Sequence, residues 1–177
     1  ARDASNVTNF NYMFNRAGYN AATFDLGDLG GWNVDDSALS TSYMFSEAGY
    51  SATTWNIGDL STWSLPNATS VSYLFNYSGY NASTWYIGDL STWSTSKVVY
   101  MTSTFNSAGY SAGEFNIGDL SGWDIRTTQS LNSTFAYSGY SASTWNVGTL
   151  STWDTSNIKS LSSAFYSAGY NASNITL

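Results

Sequence analysis

Residues 98–110 read Val98-Val-Tyr-Met101-Thr-Ser-Thr-Phe105-Asn-Ser-Ala108-Gly109-Tyr110, and the pattern of this stretch returns along the whole chain. Its apolar positions Val98, Met101, Phe105 and Ala108 are spaced 3, 4 and 3, and Ile158, Leu161, Phe165 and Ala168 keep the same spacing. Such intervals predict a helix of about three turns with one apolar face. Gly109 then falls where a left-handed residue ends a helix. Ser5, Asp36, Ser96 and Ser156 stand where N-caps would begin the helices.

The Gly-Tyr pair occurs at 18–19, 49–50, 79–80, 109–110, 139–140 and 169–170, at spacings of 31, 30, 30, 30 and 30. Six units follow, with approximate bounds 1–32, 33–63, 64–93, 94–123, 124–153 and 154–177. The longer first spacing places one inserted residue between Trp32 and Gly49. Around each Gly the same columns recur: Phe14, Phe45, Phe75, Phe105, Phe135 and Phe165 before it, then Tyr19, Tyr50, Tyr80, Tyr110, Tyr140 and Tyr170. Further on come Phe24, Trp55, Trp85, Phe115 and Trp145, and a closing column of Trp32, Trp63, Trp93, Trp123 and Trp153. A unit of this size cannot bury its apolar face alone and must stack on its neighbours.

After the Gly, unit three reads Tyr80-Asn-Ala-Ser-Thr-Trp85-Tyr-Ile87-Gly-Asp89-Leu90-Ser-Thr-Trp93. The alternation of Trp85 and Ile87 predicts a short strand with one buried face, broken at Gly88-Asp89. The expected fold is therefore an α/β repeat solenoid, leucine-rich-repeat-like, with one short helix and one short strand in each of six units. It forms a single domain over residues 1–177.

Composition narrows the function. Apolar residues make up 42% of the 177 and charged residues only 10%, so Ser, Thr, Asn and Gly must cover the surface. With 12 acidic against 5 basic residues the net charge is −7, which argues against nucleic acid or an anionic membrane as partner. The chain contains neither Cys nor His, which removes disulfides, thiolate chemistry and the commonest acid/base group. No run approaches the roughly 20 apolar residues of a membrane span. The expectation is an extracellular or cell-surface protein without a cofactor.

The run Leu150-Ser-Thr-Trp-Asp-Thr-Ser-Asn-Ile158-Lys-Ser-Leu161 and its counterpart Leu90-Ser-Thr-Trp-Ser-Thr-Ser-Lys-Val98-Val-Tyr-Met101 resemble the repeat of BspA-like leucine-rich surface proteins, a group that includes mycoplasma-type lipoproteins. The resemblance covers about half of each unit and recurs throughout. It implies a leucine-rich-repeat-like solenoid on a cell surface, used for adhesion or interaction. The Gly-Tyr-Asn-Ala-Ser-Thr-Trp segment is extra to the family pattern.

Several columns are candidate sites. The Phe, Tyr and Trp columns are expected to be structural ladders, the alternative being an exposed platform for sugar rings. Asp28, Asp59, Asp89 and Asp119 form a column that Thr149 interrupts. Stacked carboxylates are weak candidates for calcium, against the expectation that each Asp closes its own turn through a backbone N–H. Seven glycosylation sequons begin at Asn6, Asn67, Asn76, Asn81, Asn132, Asn171 and Asn174. The hydroxyls Ser61-Thr62, Ser91-Thr92 and Ser151-Thr152 suggest an array for ice or glycan, with an ordinary solvated edge as the expected outcome. The remaining acids are scattered among the units, and no pair is set up for hydrolysis, so the chain reads as a non-enzyme.

Units one and six carry the same columns as the middle units, so both ends read as open. The leading expectation is an extracellular structural protein, glycosylated, whose copies stack head to tail into a fibril. A monomeric adhesin binding a glycan or host protein on its strand face is the alternative, with ice binding third.

Overall fold

The hydrogen-bond pattern of the repeated stretch decides the architecture, and it is not helical. A computed structural model describes residues 2–34 and 38–176. Among them there is no α-helix, only two single-turn 3-10 segments, Leu29–Gly31 and Leu120–Gly122. The expected α/β solenoid with a helix in every unit is therefore overturned.

In place of the helix runs a ribbon of consecutive β-turns. The amides of Thr104, Asn106 and Ala108 donate to the carbonyls of Met101, Ser103 and Phe105, three residues back, at 3.4, 3.2 and 3.1 Å. The intervening amides point sideways. Met101, Ser103, Phe105 and Ser107 donate to Ser130, Asn132, Thr134 and Ala136 of the next unit at 3.1, 2.8, 2.8 and 2.7 Å. A helix would direct every amide to the residue four back and leave none for a neighbouring unit. Here each buried backbone donor is satisfied by alternation between turn and neighbour.

The ribbon carries backbone strain. Among the described residues, two non-glycine residues in every unit have positive φ, for example Tyr73 at 58° with Tyr77 at 55°, and Ser103 at 54° with Ser107 at 55°. A left-handed L-residue costs about 1–2 kcal/mol. The turn bond on one side and the inter-unit bond on the other hold it there.

Val98, Met101, Phe105 and Ala108, expected to form a helix face, are buried, but so are residues between them. Thr104 and Ser107 are only 1% and 2% exposed. The Thr104 hydroxyl is accommodated because Oγ1 donates to the carbonyls of Met101 at 2.9 Å and Val71 at 3.1 Å. The N-cap expectation also fails: Ser5 and Ser156 do not cap helices but donate their amides to the Asp3 and Asp154 carboxylates two residues earlier. Ser96 begins no helix either, and Asp36 lies outside the described residues.

The strand expectation stands in reduced form. Strands β1 (Arg2–Asp3), β2 (Thr23–Asp25), β3 (Trp32–Asn33), β4 (Thr54–Asn56), β5 (Glu114–Asn116), β6 (Thr144–Asn146) and β7 (Asn174–Thr176) are two or three residues long. They pair in parallel as β1 with β3, β2 with β4, and β5 with β6 with β7. A second line of parallel bridges runs Asn9, Ser40, Ser70, Tyr100, Ser130, Ser160, so every unit sits in register on the next. The offset is 31 at Thr23 and Thr54 and 30 at Ser40 and Ser70, which places the inserted residue between Asp25 and Ser40. That stretch includes the undescribed 35–37.

The core lies between the turn ribbon and the strand side. The Phe rings stack along the column at 5.4, 5.5, 5.6, 5.4 and 5.2 Å between centroids. Trp85 and Phe115 stack at 5.2 Å, and Phe105 meets Phe115 edge-on at 6.4 Å, joining the two columns. Gly109 fits between units for two reasons. Its φ is +53°, and an added Cβ would lie 2.7 Å from Cβ of Trp85.

Candidate functional site: the end faces and the strand-side cleft

The Asp column closes turns. The Oδ1 atoms of Asp28, Asp59, Asp89 and Asp119 accept from the amides of Gly30, Ser61, Ser91 and Ser121 at 2.8–2.9 Å. These side chains also lock neighbouring units together. A Cβ at Gly88 would lie 2.0 Å from Oδ1 of Asp59, and one at Gly118 would lie 1.9 Å from that of Asp89. Gly58, Gly88 and Gly118 are thus required by Asp28, Asp59 and Asp89 of the unit before each, whereas Gly27 has open space around it. Among the described residues no group of three acids could hold a metal ion. Bonds from Ser61 hold the Asp59 carboxyl below its ordinary pKa, and the Ser121 amide does the same for Asp119.

The closing Trp column is structural. The indole N–H groups of Trp63, Trp93, Trp123 and Trp153 donate to the carbonyls of Leu29, Leu60, Leu90 and Leu120 in the preceding unit at 2.9–3.0 Å. Trp63, Trp93 and Trp123 are buried, while Trp32 and Trp153, nearest the ends, are half-buried.

Tyr19, Tyr50, Tyr80, Tyr110 and Tyr140 form a half-buried surface stripe that continues to the exposed Tyr170. Successive rings lie 4.9, 4.8, 4.5, 4.6 and 4.8 Å apart. Each interior ring face is covered by another tyrosine, so no sugar can stack along the column. Burial, then the neighbouring Tyr110 and Tyr50, pushes the Tyr80 hydroxyl up to about 12.

The threonine array is internally bonded as well. Thr62, Thr92 and Thr152 donate their hydroxyls to the carbonyls of Gly30, Ser61 and Ser121 at 2.8, 3.0 and 2.8 Å. They form a solvated edge that ties units together.

The sequons separate by exposure. Asn6, Asn81, Asn171 and Asn174 are exposed, and Asn67 and Asn132 are half-buried. Asn132 accepts from the Ser160 hydroxyl and the Ser162 amide, and Asn67 from the Lys97 ammonium. Asn76 is 9% exposed, and its Nδ2 donates to Oγ of Ser46.

Both end faces are bare in complementary ways. Among the described residues, the amides of Leu161, Ser163, Phe165 and Ser167 in unit six have no acceptor. These are the column positions of Met101, Ser103, Phe105 and Ser107, which donate to the next unit. At the opposite face the carbonyls of Asn9, Asn11, Met13 and Asn15 have no donor among the described residues. On the strand side the relation reverses. Among the described residues, the amides of Gly18, Asn20 and Ala22 have no acceptor at the first face, and the carbonyls of Ala168, Tyr170 and Ser173 have no donor at the last. Side chains follow suit: Leu161 is 51% exposed where Met101 of the same column is 0% exposed.

A cleft of about 640 Å³ opens on the strand side across units three to five, between Tyr86, Asp89, Glu114, Asn116, Asp119 and Asn146. It coincides with two breaks in the repeat, at Tyr86 and Glu114, that the shared columns do not reveal. Equivalent side chains form a row, Asp25, Asn56, Tyr86, Asn116, Asn146. Nδ2 of Asn56 donates to Asp25 at 2.8 Å, and Nδ2 of Asn146 donates to Asn116 at 3.0 Å. Tyr86 interrupts the row, and its hydroxyl turns away to donate to Oδ2 of Asp59 at 2.9 Å. That bond is the first cause of a raised Tyr86 pKa. Beside it Glu114 replaces the Thr found at 23, 54, 84 and 144.

Stacked short units joined by parallel ladders and continuous aromatic columns define a repeat protein. The chain belongs to the family described as Mycoplasma protein of unknown function, DUF285, which matches residues 1–84 and 49–176. At this coarse level the resemblance to a mycoplasma-type repeat family holds. A search of curated proteins and a search of solved structures each found no match.

Among the described residues no helix is long and apolar enough to cross a membrane.

Proposed function

We propose that the chain is an extracellular structural subunit of a cell surface, stacking end to end with further copies of itself into a fibril. The observation that supports this is the interface between units: each offers a row of amides on one side and a row of carbonyls on the other, in the same pattern from unit to unit, as where Met101, Ser103, Phe105 and Ser107 donate to Ser130, Asn132, Thr134 and Ala136. The free amides of Leu161, Ser163, Phe165 and Ser167 and the free carbonyls of Asn9, Asn11, Met13 and Asn15 occupy the same column, one row of donors facing one row of acceptors. Unpaired strand-like edges of this kind template further pairing. A copy docked in register would also bury Leu161, Ile175, Met13 and Val7, all at least 40% exposed. This interface is heterologous and does not close on itself, so it propagates. The finer kinship with BspA-like surface proteins fits the same role. A surface with only 10% charged residues suits a glycan coat, which Asn6, Asn81, Asn171 and Asn174 are placed to carry and Asn76 is not.

Sedimentation velocity over rising protein concentration tests the proposal. The chain is expected to form species that grow with concentration, while the double variant Leu161→Glu, Ile175→Glu stays monomeric with an unchanged circular dichroism spectrum. A wild-type chain that remains one monomeric species at every concentration would overturn it.

A further inference from the structure

We infer that the strand-side cleft at Tyr86 binds a saccharide, with the tyrosine ring as its platform. The sugar-platform reading fails for the tyrosine column because each interior ring is stacked on its neighbours. Tyr86 differs. It has no ring partner among the described residues, is 57% exposed, and is held in place by its hydroxyl bond to Asp59. A ring fixed at its tip with a free face presents the electron-rich surface that the C–H face of a pyranose covers.

The polar groups around it are complementary to hydroxyls. Because position 86 is Tyr and not Asn, Nδ2 of Asn116 lacks, among the described residues, the acceptor that its equivalents in Asn56 and Asn146 possess. That leaves a fixed amide donor, since Oδ1 of Asn116 is already held by the amides of Gly118 and Asn146. The Glu114 carboxylate next to it has no partner among the described residues, and Asp89 uses one oxygen on the Ser91 amide. A hydroxyl both donates and accepts, so a sugar can satisfy Glu114 and Asn116 together. A cation would satisfy Glu114 and leave the Asn116 N–H facing a positive charge. The cleft, about 640 Å³, falls within the roughly 300–1,000 Å³ of small-molecule sites and has room for a short oligosaccharide.

The site lies in units three to five, away from both end faces, and does not depend on stacking. The two residues that make it are departures from the repeat, which supplies clean controls. Tyr86→Asn and Glu114→Thr each restore what other units carry at that position, so both variants are expected to fold, and Tyr86→Asn completes the amide row.

The test is an NMR titration of the full chain with lactose, cellobiose and N,N′-diacetylchitobiose as separate probes. Expected is saturable movement of the Asn116 and Asn146 side-chain amides and the Gly118 amide with at least one probe. Affinity should fall by about tenfold or more in each variant, the loss of one good contact group. No movement with any of the three sugars, or equal affinity in Tyr86→Asn, would overturn the proposal. Movement produced by a trilysine peptide instead, abolished by Glu114→Thr and untouched by Tyr86→Asn, would overturn it in favour of a cationic ligand.

Discussion

Units two to five and the outward faces of units one and six are built from the same columns, yet they live in different environments. Trp145 is 2% exposed, and Ile175, its partner one unit on, is 48% exposed. Phe105 is stacked on both sides, by Phe75 and Phe135, while among the described residues Phe165 is stacked only by Phe135 and meets Trp145 edge-on. Phe105 and Phe165 stand in nearly the same local sequence, each followed by Ser-Ala-Gly-Tyr after one intervening residue. The difference lies in the presence of a neighbour, so each unit's stability is largely an interface property shared with the units beside it. The ends are then the first regions expected to open.

A pair of matched truncations, one inside the stack and one at its end, gives the largest expected effect. Phe105→Ala should cost about 3–5 kcal/mol, the usual cost of emptying a buried Phe site, and Phe165→Ala less than half as much. Urea unfolding of the two variants checks it. Equal losses would mean that stacking on both sides adds nothing.

A smaller effect tests the strained ribbon. Ser163 sits on the exposed end with φ at 55°, so Ser163→Gly removes strain without removing packing. A gain of about 0.5–1 kcal/mol is expected, the left-handed cost less the added entropy of the unfolded chain, and Ser163→Val should lose stability. A glycine variant no more stable than its parent would show that the ribbon is not strained there.

The smallest effect is that of pH, because the groups concerned are exposed and screened. Asp25, Asp59, Asp119 and Asp154 are held below 3.8 by hydrogen bonds in their turns, and Arg126 holds Asp124 at about 2. Their contribution is complete above the unfolded value of 3.8 and is lost as pH falls toward 2. Tyr80 shifts the other way, from 10.0 to about 12, so its contribution is complete below pH 10 and is lost as pH rises through 12. Melting temperature against pH should therefore show a plateau between about 4 and 10 with a fall on each side. A chain most stable at pH 3 would contradict these turn bonds.

Much of this architecture was legible in the columns. Glycines at positive φ, buried Phe and Trp, and Asp closing its own turn all follow from residues that return every 30 positions. The helix did not follow. Spacings of 3 and 4 mark buried positions in a ribbon of three-residue turns as readily as in a helix. The signal against a helix was present between them, in Thr102-Ser-Thr104 and Asn106-Ser107, poor helix formers whose hydroxyls and amide compete for backbone groups. The cleft was missed for the opposite reason. Attention to shared columns passes over Tyr86 and Glu114, and only the amide row in three dimensions shows that Tyr86 leaves a donor at Asn116 unmatched.

Electron microscopy of the purified chain at rising concentration decides whether copies stack end to end. Filaments of uniform width are expected, with a subunit repeat of roughly 29 Å, six units each advancing about 4.8 Å, the ordinary spacing of paired strands. Discrete particles of one chain at all concentrations would contradict end-to-end stacking, and would mean that the donor and acceptor rows of the two end faces do not meet.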